Sequence, residues 1–325
     1  MSAAAADEGQ RSRVTVCICT YRRPAGLRRL LQALAEQRFR HIPPPRVTVV
    51  VTDNEGSEQI KALCHSFRCE AFAALLYFHE PRRGISYARN TCFDHIPPAT
   101  DFVAMIDDDE IPVQEWLEQL LLAQSKTTAE VVIGPTTPVF EPTTPLWVQQ
   151  SGFFNKPREQ NSLTDLQPDP VAATCNALVS AHSLTATGIR FHPDLALSGG
   201  EDALFFRELK LAGYRFTWAR HAQVFETIPI HKARLGYMLR EEFRRGNVRV
   251  FVDALITGKS GAPRRRVLKE YRRALKRIFS GSAGVLRTLP RWNACRGGMA
   301  MEASRVARGL GMLAGLTGIR SRHYR

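Results

Sequence analysis

Three consecutive aspartates, Asp107, Asp108 and Asp109, end the apolar run of "FVAMIDDDEIP" (102–112), with Glu110 behind them. Neighbouring carboxylates raise the cost of ionising one another, so such a cluster calls for positive charge. A divalent cation is the simplest source. Mn²⁺ or Mg²⁺ prefers oxygen ligands and commonly shares them with substrate phosphates. On an extended strand Asp107 and Asp109 would face one side and Asp108 the other. The alternative is a cluster capping the helix expected at "PVQEWLEQ".

Other segments carry chemistry of a compatible kind. In "RRGISYARN" (82–90), Gly84 permits a tight turn. The helix after it offers free N–H groups to an anion, and Arg89 can pair with a phosphate or a base edge. Asp53 closes an apolar run, where an acidic residue can hold a ribose or base, or can simply form a turn with Asn54. In "GGEDALFFR" (199–207), Glu201 and Asp202 fall at a helix start. They complement the helix dipole there, and either could serve as a general base toward a hydroxyl.

These residues need a frame, and the first half of the chain supplies one. Strands are expected at 13–19, 46–53, 72–79 and 102–107. Helices fall between them, at 24–37, around 57–67 and at about 85–95. Leu27, Leu30, Leu31 and Leu34 mark one helical face, and Pro24 suits its first turn. "RVTVVVTD" is apolar without alternation, as a strand covered on both faces should be. Strand–helix alternation predicts a doubly wound, mainly parallel sheet, whose ligands bind beyond the carboxyl ends of the strands. Every polar segment named above lies near such an end or begins a helix. Farther on, a helix is expected at 115–124 and a long loop at 135–170. A strand follows at 171–181, a helix at 198–213, strand pairs at 214–226, and a long helix from about 232 to 254.

Charge divides the chain. Residues 258–325 hold 17 Lys and Arg against 2 Asp and Glu, while the rest holds 28 against 29. The expected organisation is a catalytic domain over 1–257, with a nucleotide-binding half at about 13–110 and an acceptor half at 111–257. A basic helical extension follows over 258–325. Its excess charge points to an anionic partner. "GAPRRRVLKEYRRALKRIF" (261–279) would gather Val267, Tyr271, Leu275, Ile278 and Phe279 on one face among basic residues, a pattern suited to an anionic membrane surface. "GLGMLAGLTGI" (309–319) is too short to span a bilayer and could add a shallow apolar contact. The amino terminus has no apolar signal core, and the seven cysteines are odd in number and scattered. A reducing cytoplasm is the expected location, with the inner face of the membrane as a second possibility.

The ordered set "TYRRP", "TDNEG", "RRGISYARN", "IDDDE" and "GGED" resembles the inverting glycosyltransferases of family 2, with the GT-A fold. The stretch "ETIPIHKARLGYMLREEFRRGN" resembles the region after the acidic pair in members that build polysaccharides. Asn54, Glu55 and Gly56 depart from the family pattern after Asp53, where serine is common. The chain ends in a short basic segment where polymerising members have membrane spans, which argues against a processive synthase. The resemblance implies a nucleotide-sugar donor, UDP-linked, and a glycan or lipid-linked acceptor. Thr20, Tyr21, Arg23, Asp53, Gly84, Arg89, Asn90, Asp107 and Asp108 would hold the donor. Asp109 and Asp107, with His231 as a further candidate, would hold Mn²⁺ or Mg²⁺. Asp202 would be the general base, with Glu201 supporting the acceptor.

Two rival readings remain. A nucleotidyl- or phosphotransferase also uses clustered aspartates, but the G-x-x-x-x-G-K phosphate loop is absent from the sequence. A nucleic-acid-binding protein would account for the basic tail, but aromatics are sparse there: Tyr271, Phe279, Trp292 and Tyr324.

Overall fold

The computed structural model describes residues 11–157, 160–258, 263–291 and 296–321. The amino-terminal stretch, the first residues of the expected basic helix at 261–262, and Trp292, Cys295 and Tyr324 lie outside the described residues. The first half alternates as expected: β1 (Arg13–Thr20), α1 (Pro24–Ala35), β2 (Arg46–Asp53), α2 (Glu58–Ser66), β3 (Phe72–His79), α3 (Ile85–Asp94) and β4 (Phe102–Ile106). Then come β5 (Glu110–Pro112), α4 (Trp116–Thr127), β6 (Val131–Ile133), β7 (Thr136–Phe140), α5 (Leu146–Gln149), β8 (Asn176–Ser180) and α6 (Ala181–Thr187). The chain continues through α7 (Glu201–Leu211), β9 (Phe216–Trp218), β10 (Val224–Ile228), α8 (Leu235–Gly258), α9 (Pro263–Thr288) and α10 (Arg296–Leu316).

The large sheet has the order β3-β2-β1-β4-β8-β6-β9. The first four strands in that order pair in parallel, β8 runs against both its neighbours, and β9 is parallel to β6. The chain steps outward from β1 to β3, then returns to place β4 on the other side of β1. That reversal leaves a crevice beyond the carboxyl ends of β1 and β4, where such sheets bind ligands. Leu27, Leu30, Leu31 and Leu34 of α1 are buried with Val14, Val16 and Ile18 of β1 and Val49 and Val51 of β2. Each such side chain removed from water contributes about 1.5–3 kcal/mol.

Some expectations change. The three aspartates are not on a strand: β4 stops at Ile106 and they form a turn into β5, so strand alternation does not apply to them. Residues 214–226 do not form a strand pair, because β9 joins the large sheet and β10 joins a three-stranded sheet of order β5-β10-β7. The stretch expected as a loop at 135–170 contains β7 and α5.

The chain forms two compact units. One comprises Met1–Thr137, Glu159–Pro193 and Phe205–Glu226, and the other Pro138–Arg158, Asp194–Leu204 and Thr227–Arg325. The division runs through the stretch expected to be one domain and puts 258–325 in one unit with α8. Glycines explain this intimacy. A Cβ on Gly246 of α8 would lie 2.0 Å from the carbonyl oxygen of Arg308, and one on Gly311 of α10 would lie 1.9 Å from that of Phe243. "GLGMLAGLTGI" is therefore largely a helix-packing surface, with Met312 fully buried, rather than an apolar patch offered outward. Among the described residues, no helix is long and apolar enough to cross a membrane.

Candidate active site

Thr20 ends β1, and a tight turn through Arg22, at φ 60°, delivers Arg23 ahead of α1. The hydroxyl of Thr20 donates to Asp108 Oδ2 at 2.8 Å. Arg23 Nη1 donates to Asp108 Oδ1 at 2.9 Å and to Asp109 Oδ2 at 2.7 Å. Arg89 Nη2 lies 3.4 Å from Asp107 Oδ1. Each aspartate thus has a guanidinium partner, and positive charge reaches the cluster from the turn before α1 and from α3. Burial pushes the Asp108 carboxyl up to about 6, with the Asp109 charge adding to it against the pull of Arg23 and Thr20. Burial works against the charge on Arg23, but Asp109 and Asp108 outweigh it and raise its pKa. The side chains of Asp107 and Asp109 remain 35% and 21% exposed, so the cluster is open to an incoming group.

Two glycines shape the surroundings. A Cβ on Gly26 would lie 2.5 Å from the Asp108 carbonyl oxygen, so glycine there lets the aspartate turn rest on α1. Gly84 precedes α3 at φ 135° and ψ 145°, a conformation reserved for glycine. Its N–H donates to Asn54 Oδ1 at 2.8 Å, while Asn54 Nδ2 donates to the carbonyls of Glu80 and Arg82, each at 2.8 Å. Asn54 therefore ties the loop after β2 to the loop after β3. Glu80, buried, accepts from Arg82 N, Nε and Nη2 and from the Thr91 hydroxyl. The Arg82 hydrogen bonds bring its pKa down to about 2, against burial. Tyr21 stands at this rim with Arg22 and Arg83 over its ring, at 5.0 and 5.9 Å.

Asp53 and Asn90 are committed inside the fold. Asp53 is fully buried and accepts from the N–H groups of Glu55 and Ser57 and from Tyr77 Oη. Its hydrogen bonds are those of the turn-forming alternative. Asn90 donates to the carbonyl of Phe191 at 2.8 Å and accepts from the Phe191 N–H at 2.9 Å, which occupies its amide at both ends.

In the second unit, Gly199 and Gly200 carry the chain into α7 at φ 77° and 85°. Arg244 of α8 donates to the Ser198 carbonyl at 2.8 Å and makes a two-pronged pair with Glu241, at 2.9 and 2.6 Å. A Cβ on Gly199 would lie 2.3 Å from Arg244 Nη1, and one on Gly200 would lie 2.2 Å from Val248 Cγ1. Arg245 binds both Glu241 and Glu242, and Arg308 approaches Glu242 at 3.5 Å. Glu201 is buried. Asp202 is half-buried, with Oδ1 accepting from the Ala203 N–H at 2.7 Å. His231 is exposed in the turn after β10. Among the described residues no three of His, Cys, Asp or Glu are grouped as a metal cage, at the aspartate turn or at His231. The sequence named Asn54 only as a turn residue and did not single out Glu80, Gly26 or Arg244. "EEFRRGN" sets four charges on the long helix expected there but does not say which of them turns inward.

A nucleotide-binding GT-A architecture with a carboxylate–arginine cluster at its switch point is the class this geometry defines. Residues 15–186, more than half of the chain, match the family described as Glycosyl transferase family 2, and the chain belongs to that family. It is 35% identical over 234 residues, 72% of each chain, to succinoglycan biosynthesis protein ExoM of Rhizobium meliloti (strain 1021). It is 25% identical over 240 residues to glycosyltransferase AglE of Haloferax volcanii, covering 74% of this chain and 73% of that one. The fold is similar to that of mannosyltransferase PcManGT from Pyrobaculum calidifontis in complex with GDP-Man and Mn²⁺. The TM-score is 0.58 at 18% identity, covering 93% and 87% of the two chains. TarS 1-349 of S. aureus in complex with UDP shares the fold at a TM-score of 0.52 and 15% identity, covering 95% and 93%. The protein is a glycosyltransferase of the kind that uses a nucleotide-sugar donor. For the catalytic part, the phosphotransferase and nucleic-acid-binding readings give way to this assignment.

Proposed function

We propose that the protein moves a sugar from a UDP-linked donor to a hydroxyl of a glycan or lipid-linked acceptor in polysaccharide biosynthesis, with inversion at the anomeric carbon. The observation that carries this reading is the cluster of Thr20, Arg23, Asp107, Asp108 and Asp109 at the ends of β1 and β4. The relation to ExoM supports the polysaccharide assignment, and the UDP complex of TarS and the GDP-Man complex of PcManGT support a nucleotide-sugar donor.

Thr20, Tyr21, Arg23, Gly84 and Arg89 line or position the donor site, and the free N–H groups at the start of α3 favour phosphate oxygens. Asp107 and Asp108 orient the donor. Asp53 and Asn90 act beneath it, fixing the loops rather than gripping the nucleotide. Asp109 and Asp107 would hold Mn²⁺ or Mg²⁺ through their hard carboxylate oxygens. When bound, the cation supplies charge neutralisation to the diphosphate leaving group. Asp202 takes the acceptor proton as the hydroxyl attacks opposite the departing diphosphate, and Glu201 supports the acceptor. The enzyme works in the cytoplasm or at the inner face of the membrane.

The test is a transfer assay over a panel of nucleotide-sugars with Mn²⁺ or Mg²⁺, in which the product anomer is read by NMR. A UDP-sugar turned over with inversion supports the reading. Turnover of non-UDP donors alone, or retention of configuration, sinks it.

A further inference from the structure

The outer face of α9 is left uncovered in a pattern that points to a partner. One face of this helix packs within its unit. Glu270, Ala274 and Gly281 are buried, and a Cβ on Gly281 would lie 2.8 Å from the Glu302 carbonyl of α10. Rotated away from that face, Leu268, Tyr271, Phe279 and Leu286 form a stripe at spacings of three, eight and seven residues, continued by Leu289. These residues are 50%, 47%, 70%, 69% and 53% exposed. Phe279 and Leu286, at roughly 70%, are far more open than side chains of that kind that merely border a core. Along one side of the stripe stand Lys269, Arg272, Lys276 and Arg287, all exposed. The sole acid of α9, Glu270, is buried and faces the packed side, near Arg249 and Arg273.

We propose that this face of α9 lies on an anionic lipid surface, with the Leu268–Leu289 stripe in the interface and the flanking Lys and Arg against lipid phosphates. An interfacial helix carries this combination: an apolar stripe, a basic flank and no exposed acid. Charge complementarity selects the occupant. A second copy would bring two strongly basic faces together, and an acidic protein would leave the Phe and Leu stripe without an apolar partner unless it carried one. Anionic lipid supplies both the negative surface and the apolar layer. The inference deepens the proposed function, since a lipid-linked acceptor would be met at that surface, but it stands on the helix alone.

The experiment is co-sedimentation of the full-length chain with vesicles of phosphatidylcholine alone, or mixed with phosphatidylglycerol, over a salt series. Two variants are compared: Phe279→Ser with Leu286→Ser, and Arg272→Glu with Lys276→Glu. Circular dichroism melts check that each is folded. The wild type is expected to pellet with the anionic vesicles only, less as salt rises. The apolar variant should bind about tenfold or more weakly, because two large apolar contacts are lost, and the charge variant should bind little. No pelleting of the wild type, equal pelleting of the apolar variant, or equal pelleting with both vesicle types overturns the proposal. So does self-association abolished by the apolar variant, or retention on duplex DNA in place of vesicle binding. Donor hydrolysis measured in parallel separates the two ideas. Its absence in all forms counts against the proposed function, whereas vesicle binding reports on α9 alone.

Discussion

The two units each hold a knot of carboxylates and arginines, and the knots differ in how far they are closed. On α8, Glu241 and Glu242 have side chains only 9% and 2% exposed, and Arg244, Arg245 and Arg308 surround them. At the ends of β1 and β4, the Arg23 and Asp107 side chains keep 45% and 35% of their surface. A sealed ion network holds a shape, and removing one partner strands a buried charge. In an open one, with Asp108 pushed up to about 6 by burial and by Asp109, an incoming cation would relieve the crowding of negative charge. The same residue types therefore meet different surroundings, and exposure sets the closed network apart from the proposed site.

The largest expected effect is at the proposed base, beside the sealed network. Asp202→Asn should lower transfer by about 10²–10⁴-fold while leaving nucleotide-sugar affinity unchanged, because the proposed role of Asp202 is that of general base and not of donor contact. Single-turnover rates beside donor titrations check it. A collapse of donor affinity with unchanged transfer per bound donor would make Asp202 a donor residue.

Arg244→Leu should destabilise by about 1.5–3 kcal/mol, since buried Glu241 loses its two-pronged partner but keeps Arg245 at 3.0 Å. It also frees the Ser198 carbonyl that sets the turn before Asp202. Urea unfolding reads the first effect. Arg244→Lys should recover only part of the stability, because an ammonium cannot reproduce the paired geometry. Full recovery would mean that charge alone, not the fork, holds the turn.

Much of the donor half was legible in the sequence because its signals are local. An apolar run, a strand end and a polar turn name each other within a dozen residues, and four such units in order define the sheet. The aspartate turn was misplaced on a strand because three acidic residues carry no periodicity. Gly26 and Arg244 were not legible for another reason. Their importance comes from a backbone or a turn that only folding brings near, the Asp108 carbonyl for one and the Ser198 carbonyl for the other. Asn90 and Asp53 show the converse: both stand in recognisable motifs, yet their hydrogen bonds are spent on the protein's own loops.

Gly26→Ala probes the contact that seats the aspartate turn on α1. With 2.5 Å available to the new methyl group, overpacking should cost about 1–3 kcal/mol. It should also weaken donor binding more than a distant substitution of equal stability cost. A stable variant with normal donor affinity would show that the turn can shift without consequence.

The smallest effect concerns Glu80. Its folded pKa of about 2 lies below the ordinary carboxylate value, so its stabilisation is present above about pH 4.5 and is lost as pH falls toward 2. Because Arg82 is largely exposed, solvent screening reduces this to about 1 kcal/mol. Glu80→Gln should be less stable than the wild type by that amount at pH 7, and the gap should close in acid. A gap that persists unchanged at pH 2.5 would contradict the ion pair.

The most direct measurement is calorimetric titration of UDP into the wild type and Asp109→Ala, each with Mn²⁺ and with excess chelator. The open cluster should give tight binding only to the wild type with Mn²⁺. About tenfold or more should be lost on chelation or on removing Asp109, with the melting temperature unchanged, as for a carboxylate that shares a cation with phosphates. Equal UDP affinity in all four titrations would contradict the account.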